Sequence, residues 1–164
     1  LIVMNTGLPA GEEAPAGFAM WRAFNRSQPD LDVAALMKRA TPVLSDAEAA
    51  AYAAPFPDAR YKAGVRRFPE LVMLREEGKP LTQDSTEGVE TSLAARRYWS
   101  SFNGESFMAI GMQDPVLGPP AMHALRAMIK GCPPPMEAAD AGHSVQEWGA
   151  PIAEAALARF ALAS

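Results

Sequence analysis

Two side chains in this sequence are spaced so that a fold could make them share one proton. Asp114 follows the short apolar run SFMAIGM, inside a QDP turn, and His143 follows a second short run, MEAAD, within AGHS. A carboxylate that holds an imidazole, while the ring takes and returns a proton, is the pairing that drives a nucleophile or a water molecule. By chemistry alone an Asp in a QDP turn serves as well as a plain turn former. His143 carries more weight, because the chain has only 2 histidines. The nucleophile has to come from elsewhere.

The elements that would bring the pair together can be read around it. From Ser106 to Ser144 the order is strand (SFMAIGM), turn (QDPVLG), helix (PPAMHALRAMIK), strand (MEAAD) and closing loop (AGHS). A parallel strand–helix–strand unit places both strand ends on one sheet edge, where open α/β sheets bind ligands. LIVMNT, at the start, reads as a third strand buried on both faces of a parallel sheet. It is too short, and too poor in basic residues, for a signal peptide or an anchor. Asn5 stands at its end.

Between Ala16 and about Ser101 the pattern is helical throughout. AGFAMWRAFNR spaces Phe18, Trp21 and Phe24 as a helix would. LDVAALMKRA has Asp30 as its expected cap, and Ser45 with Glu48 opens SDAEAAAYAA as a capping box. DARYKAGVRR is a short helix expected to stop at Phe68-Pro69, PELVMLREEG a further one ending at Gly78, and VETSLAARRYWSSF the last. GKPLTQDSTEG reads as an exposed polar connection. A helical block inserted between two strands of a parallel sheet predicts a cap over the sheet's C-terminal edge. The expected division is a core strand at 1–7, a helical cap at 8–103 and a C-terminal α/β core at 104–164. PIAEAALARFALA closes the chain as a helix presenting Ile152, Ala156, Leu157 and Phe160 on one face.

Composition narrows the function classes. With 49% hydrophobic and 21% charged residues, 164 residues make a globular domain with a real core, not a disordered chain or a membrane span. The net charge is −4, and the pairs Arg66-Arg67 and Arg96-Arg97 stand apart, so no basic stripe awaits nucleic acid. The single cysteine, Cys132, allows no internal disulfide, and with His123 it makes no metal-ligand spacing. A reduced, cytoplasmic protein without metal or cofactor is expected. Residue 1 is not methionine, and three strands alone leave a sheet edge uncovered. The chain is therefore expected to be the C-terminal half of a longer protein, inactive and prone to aggregate by itself.

The segments GMQDPVLGP and GCPPPMEAADAGHSVQE closely resemble the C-terminal part of haloalkane dehalogenases, a branch of the α/β-hydrolase superfamily, and the resemblance runs from Leu1 to the last helix. It implies an α/β-hydrolase fold with an all-helical cap. The catalytic acid is then Asp114, since Asn5 is an amide where some relatives carry their acid, and the base is His143. Gly17, Phe18 and Trp21 match the family's halide-binding setting. A tryptophan suits that role, its indole N–H donating only while its ring fills an apolar pocket; on helical spacing alone it would be core. Phe68, Pro69 and Val72 of RRFPELV, with Phe18, Val116 and Leu117, match residues lining a small apolar substrate pocket.

The resemblance also implies an aspartate nucleophile upstream of Leu1, beside a second halide donor. That aspartate would form an alkyl ester, and His143 would activate water against it. The expected partners are a small apolar halogenated substrate, water and halide, with no nucleic acid or membrane, and the complete protein is expected to be a monomer. One departure is Ser144, where relatives usually carry an aromatic residue, which bears on pocket width and polarity. An epoxide hydrolase would need two cap tyrosines, and Tyr52, Tyr61 and Tyr98 stand in no such setting. A serine esterase or a non-catalytic hydrolase-like protein stays open until the residue at the nucleophile position is read.

Overall fold

The computed structural model describes residues 1–162. They form two compact units, one made of Leu1–Leu8 and the chain from Ala95 onward, the other of Pro9–Ala94.

The first unit is built on a parallel sheet of three strands in the order β1 (Ile2–Met4), β2 (Phe107–Gly111), β3 (Met136–Ala138). β2 is buried along its whole length, and its alternating side chains divide between two cores. Met108 and Ile110 pack with Val3 and with Met122, Leu125 and Ile129 of the α7 region, α7 being Pro119–Met128. Phe107 and Ala109 point the other way, to Val145 and to Ile152 and Ala156 of α8 (Gly149–Arg159). Each large side chain so buried contributes about 1.5–3 kcal/mol, so both helices are held to the sheet by β2 first of all. Pro119 and Pro120 start α7, where their missing N–H groups cost nothing.

Two expectations for this unit need correction. β1 is not covered on both faces: Val3 is buried, but Ile2 is 51% exposed. β1 is an edge strand among the described residues, paired on one side only. In α8, Leu157 is exposed rather than part of the apolar face. It lies about 140° around the helix from Ile152 at ~100° per residue. The helix also begins at Gly149, ahead of Pro151; its expected last residue, Ala163, lies outside the described residues.

The second unit is helical: α1 (Ala16–Ser27), α2 (Val33–Ala40), α3 (Asp46–Ala53), α4 (Ala63–Leu71), α5 (Gln83–Thr86) and the start of α6 (Val89–Ser100). The Ser45–Glu48 capping box forms as expected. α2, however, is capped by Asp32, whose Oδ1 accepts from Ala35 N, while Asp30 pairs with Lys62. The cap must immediately precede the first helical residue, here Val33, and Asp30 is too far back. GKPLTQDSTEG is not wholly exposed connection, since Thr82 and Ser85 cap α5 reciprocally and Ser85 is buried. A serine three residues on is not the Glu or Gln that marks such a box in sequence.

The largest correction concerns Pro69, which does not break a helix. α4 runs through it to Leu71. Proline leaves the Val65 carbonyl without its intrahelical donor, and Asn25 Nδ2, from α1, donates to that carbonyl at 3.3 Å. The expected helix PELVMLREEG is absent. Val72 is extended, and Arg75 forms a parallel bridge with Glu13 before the turn at Gly78, whose φ is +66°.

Candidate active site

Because β2 and β3 are parallel neighbours in register Gly111 to Ala138, their chains leave the sheet side by side. The two exits are laced together by backbone and side chain: Met112 N donates to Ala138 O at 3.1 Å, Gln113 N to Ala141 O at 2.9 Å and Gln113 Nε2 to Ala139 O at 2.8 Å. This brings Asp114 and His143 together, and His143 Nδ1 donates to Asp114 Oδ2 at 2.7 Å. The Asp114 side chain is 1% exposed and that of His143 is 55% exposed. An ionised carboxylate can only accept, so the neutral ring carries its proton on Nδ1 and keeps the Nε2 lone pair for a base's work.

Two glycines make the approach possible. A Cβ on Gly111 would stand 2.2 Å from Gly142 O and 2.9 Å from Ala141 O, backbone atoms of the loop that delivers His143. One on Gly118 would stand 2.3 Å from Asp114 O. Neither neighbour can swing aside, so both positions require glycine.

Asp114 is fully coordinated. Oδ1 accepts from Val116 N at 2.8 Å and Leu117 N at 3.1 Å, while Oδ2 accepts from Asn5 Nδ2 at 2.9 Å as well as from His143. Burial is the strongest single influence on this carboxyl and opposes ionisation; the donors from His143, Val116, Asn5 and Leu117 together outweigh it and hold the group at about 2. In return the hydrogen bond to Asp114 raises the pKa of His143 above its ordinary value, against partial desolvation.

Asn5 is more than an absent acid. It is buried, its φ of +24° lies in the left-handed region that asparagine tolerates, and its amide grips Gly111 at both N (2.8 Å, to Oδ1) and O (3.2 Å, from Nδ2). Beside Asp114 a donor supports the charge, whereas a carboxylate would repel it. The sequence showed an amide at the strand end but no pattern for what it would hold. Val116 and Leu117 are half-buried, and the structure records their backbone grip on Asp114; Ser144 is buried next to His143 in sequence.

The other expected site residues belong to the second unit. Trp21 is half-buried on α1, its ring 6.0 Å from that of Phe24, and its indole N–H has no hydrogen-bond partner among the described residues. Phe18 is half-buried, Phe68 is 69% exposed, Pro69 is buried and Val72 half-buried. Reasoning from sequence missed Arg22, which is buried beside them. Its Nε donates to Pro69 O at 3.1 Å and its two terminal nitrogens to Val72 O at 3.1 Å and Leu74 O at 3.0 Å. A shallow depression of about 450 Å³ lined by Arg96, Arg97, Ser100, Ala127, Met128 and Lys130 includes none of the expected site residues.

No protein-family model matches the chain. A haloalkane dehalogenase of Mycobacterium marinum is 35% identical over 161 residues, which is 92% of this chain and 49% of that protein. One from Psychrobacter cryohalolentis is 44% identical over 70 residues, 42% of this chain and 23% of that protein. Among solved structures, the tetrameric haloalkane dehalogenase DpaA from Paraglaciecola agarilytica superposes with a TM-score of 0.87 at 45% identity, covering 96% of this chain and 51% of that one. DatA from Agrobacterium tumefaciens gives 0.69 at 16% identity over 98% of this chain and 56% of that one, a likeness of fold. The chain spans about half the length of the curated relatives it matches.

Proposed function

This chain is homologous to the haloalkane dehalogenases of the α/β-hydrolase superfamily, and from that premise we propose that the full protein hydrolyses short haloalkanes to alcohol and halide through an aspartyl alkyl ester. The observation that carries the reading is the buried, fully coordinated Asp114 holding His143 by Nδ1 at 2.7 Å with the ring itself exposed. That is a base oriented for a water molecule.

In the first step an aspartate carboxylate, upstream of Leu1 in this reading, attacks the halogen-bearing carbon. A carbon–oxygen bond forms, and the halogen leaves with the bonding electron pair. Trp21 is assigned as a donor to that halide, and its N–H, without a hydrogen-bond partner among the described residues, supports the assignment. In the second step Nε2 of His143 takes a proton from water while the water oxygen adds to the ester carbonyl. Collapse of the adduct expels the alkoxide, which receives the proton from the imidazolium; the carboxylic acid left behind gives its own proton to solvent, so the carboxylate is restored and the products are alcohol, halide and one proton. Asp114 stabilises the imidazolium between the two transfers. Phe18, Phe68, Pro69, Val72, Val116 and Leu117 are assigned to contacts with an apolar substrate, residues 8–103 to the helical cap, and 1–7 with 104–164 to the hydrolase core. A cytoplasmic monomer is part of the same proposal, to be set by light scattering against the tetrameric DpaA. No helix among the described residues is long and apolar enough to cross a membrane.

The test is to supply the full-length protein with 1-bromobutane, an alkyl epoxide and a p-nitrophenyl ester. Bromide release with little action on the other two is expected. Epoxide or ester hydrolysis without bromide would move the site to an epoxide hydrolase or an esterase.

A further inference from the structure

A buried arginine ordinarily faces a carboxylate, since a desolvated cation needs a partner. In the helical unit the nearby carboxylates are taken by another residue: Arg26, half exposed, holds Glu70 at 2.7 Å and Glu76 at 2.6 Å. Arg22, only 4% exposed, spends its guanidinium on three backbone carbonyls, those of Pro69, Val72 and Leu74. These are the carbonyls at and beyond the end of α4, where helical partners run out and the chain turns extended. The face of its flat fork also lies 4.7 Å from the centre of the Phe18 ring, one turn back on α1. One turn forward, Asn25 closes the same seam on Val65 O.

We infer that Arg22 is a positioning residue for substrate selection, its planar fork locking α1 to the Pro69–Leu74 segment so that Trp21, Phe18, Pro69 and Val72 keep one mutual arrangement. The inference rests on the dehalogenase reading for what those four residues touch. Its geometry lies wholly inside the helical unit. Three donors in one plane, aimed at three carbonyls from different turns of chain, fix both the rotation and the slide of α1 against α4. Trp21 precedes Arg22 in the same turn, so its direction is set by that lock. A lysine at position 22 keeps the charge but is a point donor on a flexible stem, and cannot span the three acceptors.

The experiment uses the full-length protein with Arg22→Lys and Arg22→Gln, each checked for cooperative melting. KM and kcat are measured for 1-bromoalkanes of three to six carbons, with the pH profile of turnover. The expected result is a KM raised roughly 10-fold or more, on the scale that small misplacements of binding groups carry. Preference among chain lengths should flatten and the pH profile should stay in place, because Asp114 and His143 are untouched. Lysine should do no better than glutamine. A folded Arg22→Lys protein with wild-type KM and chain-length preference would overturn the inference, and so would loss of fold in both variants, which would make Arg22 a stability residue only. If the unaltered protein releases no bromide, the dehalogenase reading fails on its own. The lock is then read by hydrogen exchange over Leu71–Arg75, which must quicken in Arg22→Lys, and unchanged exchange overturns it.

Discussion

At the scale of single residues, the contact between Asp114 and His143 sets the sign of the pH effects at the site. His143 is held above its ordinary 6.5 by the carboxylate, so the stabilisation it brings is complete below 6.5 and is lost as pH rises through the raised value. Asp114, at about 2 against an ordinary 3.8, contributes above 3.8 and loses its contribution as pH falls toward 2. Their mutual support is therefore greatest between these two ordinary values. Turnover needs the neutral ring, so its acid limb should lie above 6.5. In Asp114→Asn, pH–rate profiles should show that limb moved downward with a lower plateau; an unmoved limb would separate the catalytic base from this histidine. Trp21→Phe keeps a ring but removes a donor, and should slow cleavage of the carbon–halogen bond on the order of 10²-fold or more, by analogy with losing one oxyanion donor. Halide quenching of tryptophan fluorescence should weaken with it, and quenching like wild type would leave Trp21 as core alone. Asp114 and His143 were legible because each follows a short apolar run and a turn. The grips of Asn5 and Arg22 were not, because hydrogen bonds from a side chain to distant backbone groups leave no periodicity or motif behind.

At the scale of elements, the parallel pairing of β2 with β3 makes residues 29 apart neighbours, and Gly111 governs how closely the loop after β3 can approach. In Gly111→Ala the added methyl meets Gly142 O, so the loop must retreat. Overpacking of this kind costs about 1–3 kcal/mol, and a displacement near 1 Å is worth on the order of 10²-fold in rate. The variant should fold with a lower melting temperature, lose most turnover, and show by NMR a His143 pKa returned toward 6.5. A His143 pKa and a rate both equal to wild type would show the approach to be looser than these contacts allow. The strands and α7 were legible from short apolar runs and a Pro-Pro start. The course of α4 was not: Pro69 is a local stop signal, and the donor that compensates for it, Asn25, lies 40 residues from the Val65 carbonyl it serves. An open sheet edge was expected, but the exposure of the Ile2 side chain was not, since an apolar run says that a strand is favoured but not which neighbours cover its faces.

At the scale of the whole molecule, the homology covers nearly all of this chain and about half of its relatives, and the proposed cycle divides in the same way. In that proposal halide displacement is assigned to an aspartate outside these 164 residues and needs no proton transfer, while ester hydrolysis is assigned to His143 and Asp114, within them. The 164-residue chain produced alone should release no bromide from a bromoalkane, and release by it would place the nucleophile inside the chain. The division of labour is tested most directly by His143→Gln in the full-length protein, mixed with excess 1-bromobutane and followed for bromide and for intact mass. One equivalent of bromide per active site should appear and then stop, with a butyl group covalently retained on the protein, because glutamine cannot take a proton from water. Repeated turnover, or a folded variant that releases no bromide at all, would contradict the assignment of His143 as the ester-hydrolysing base.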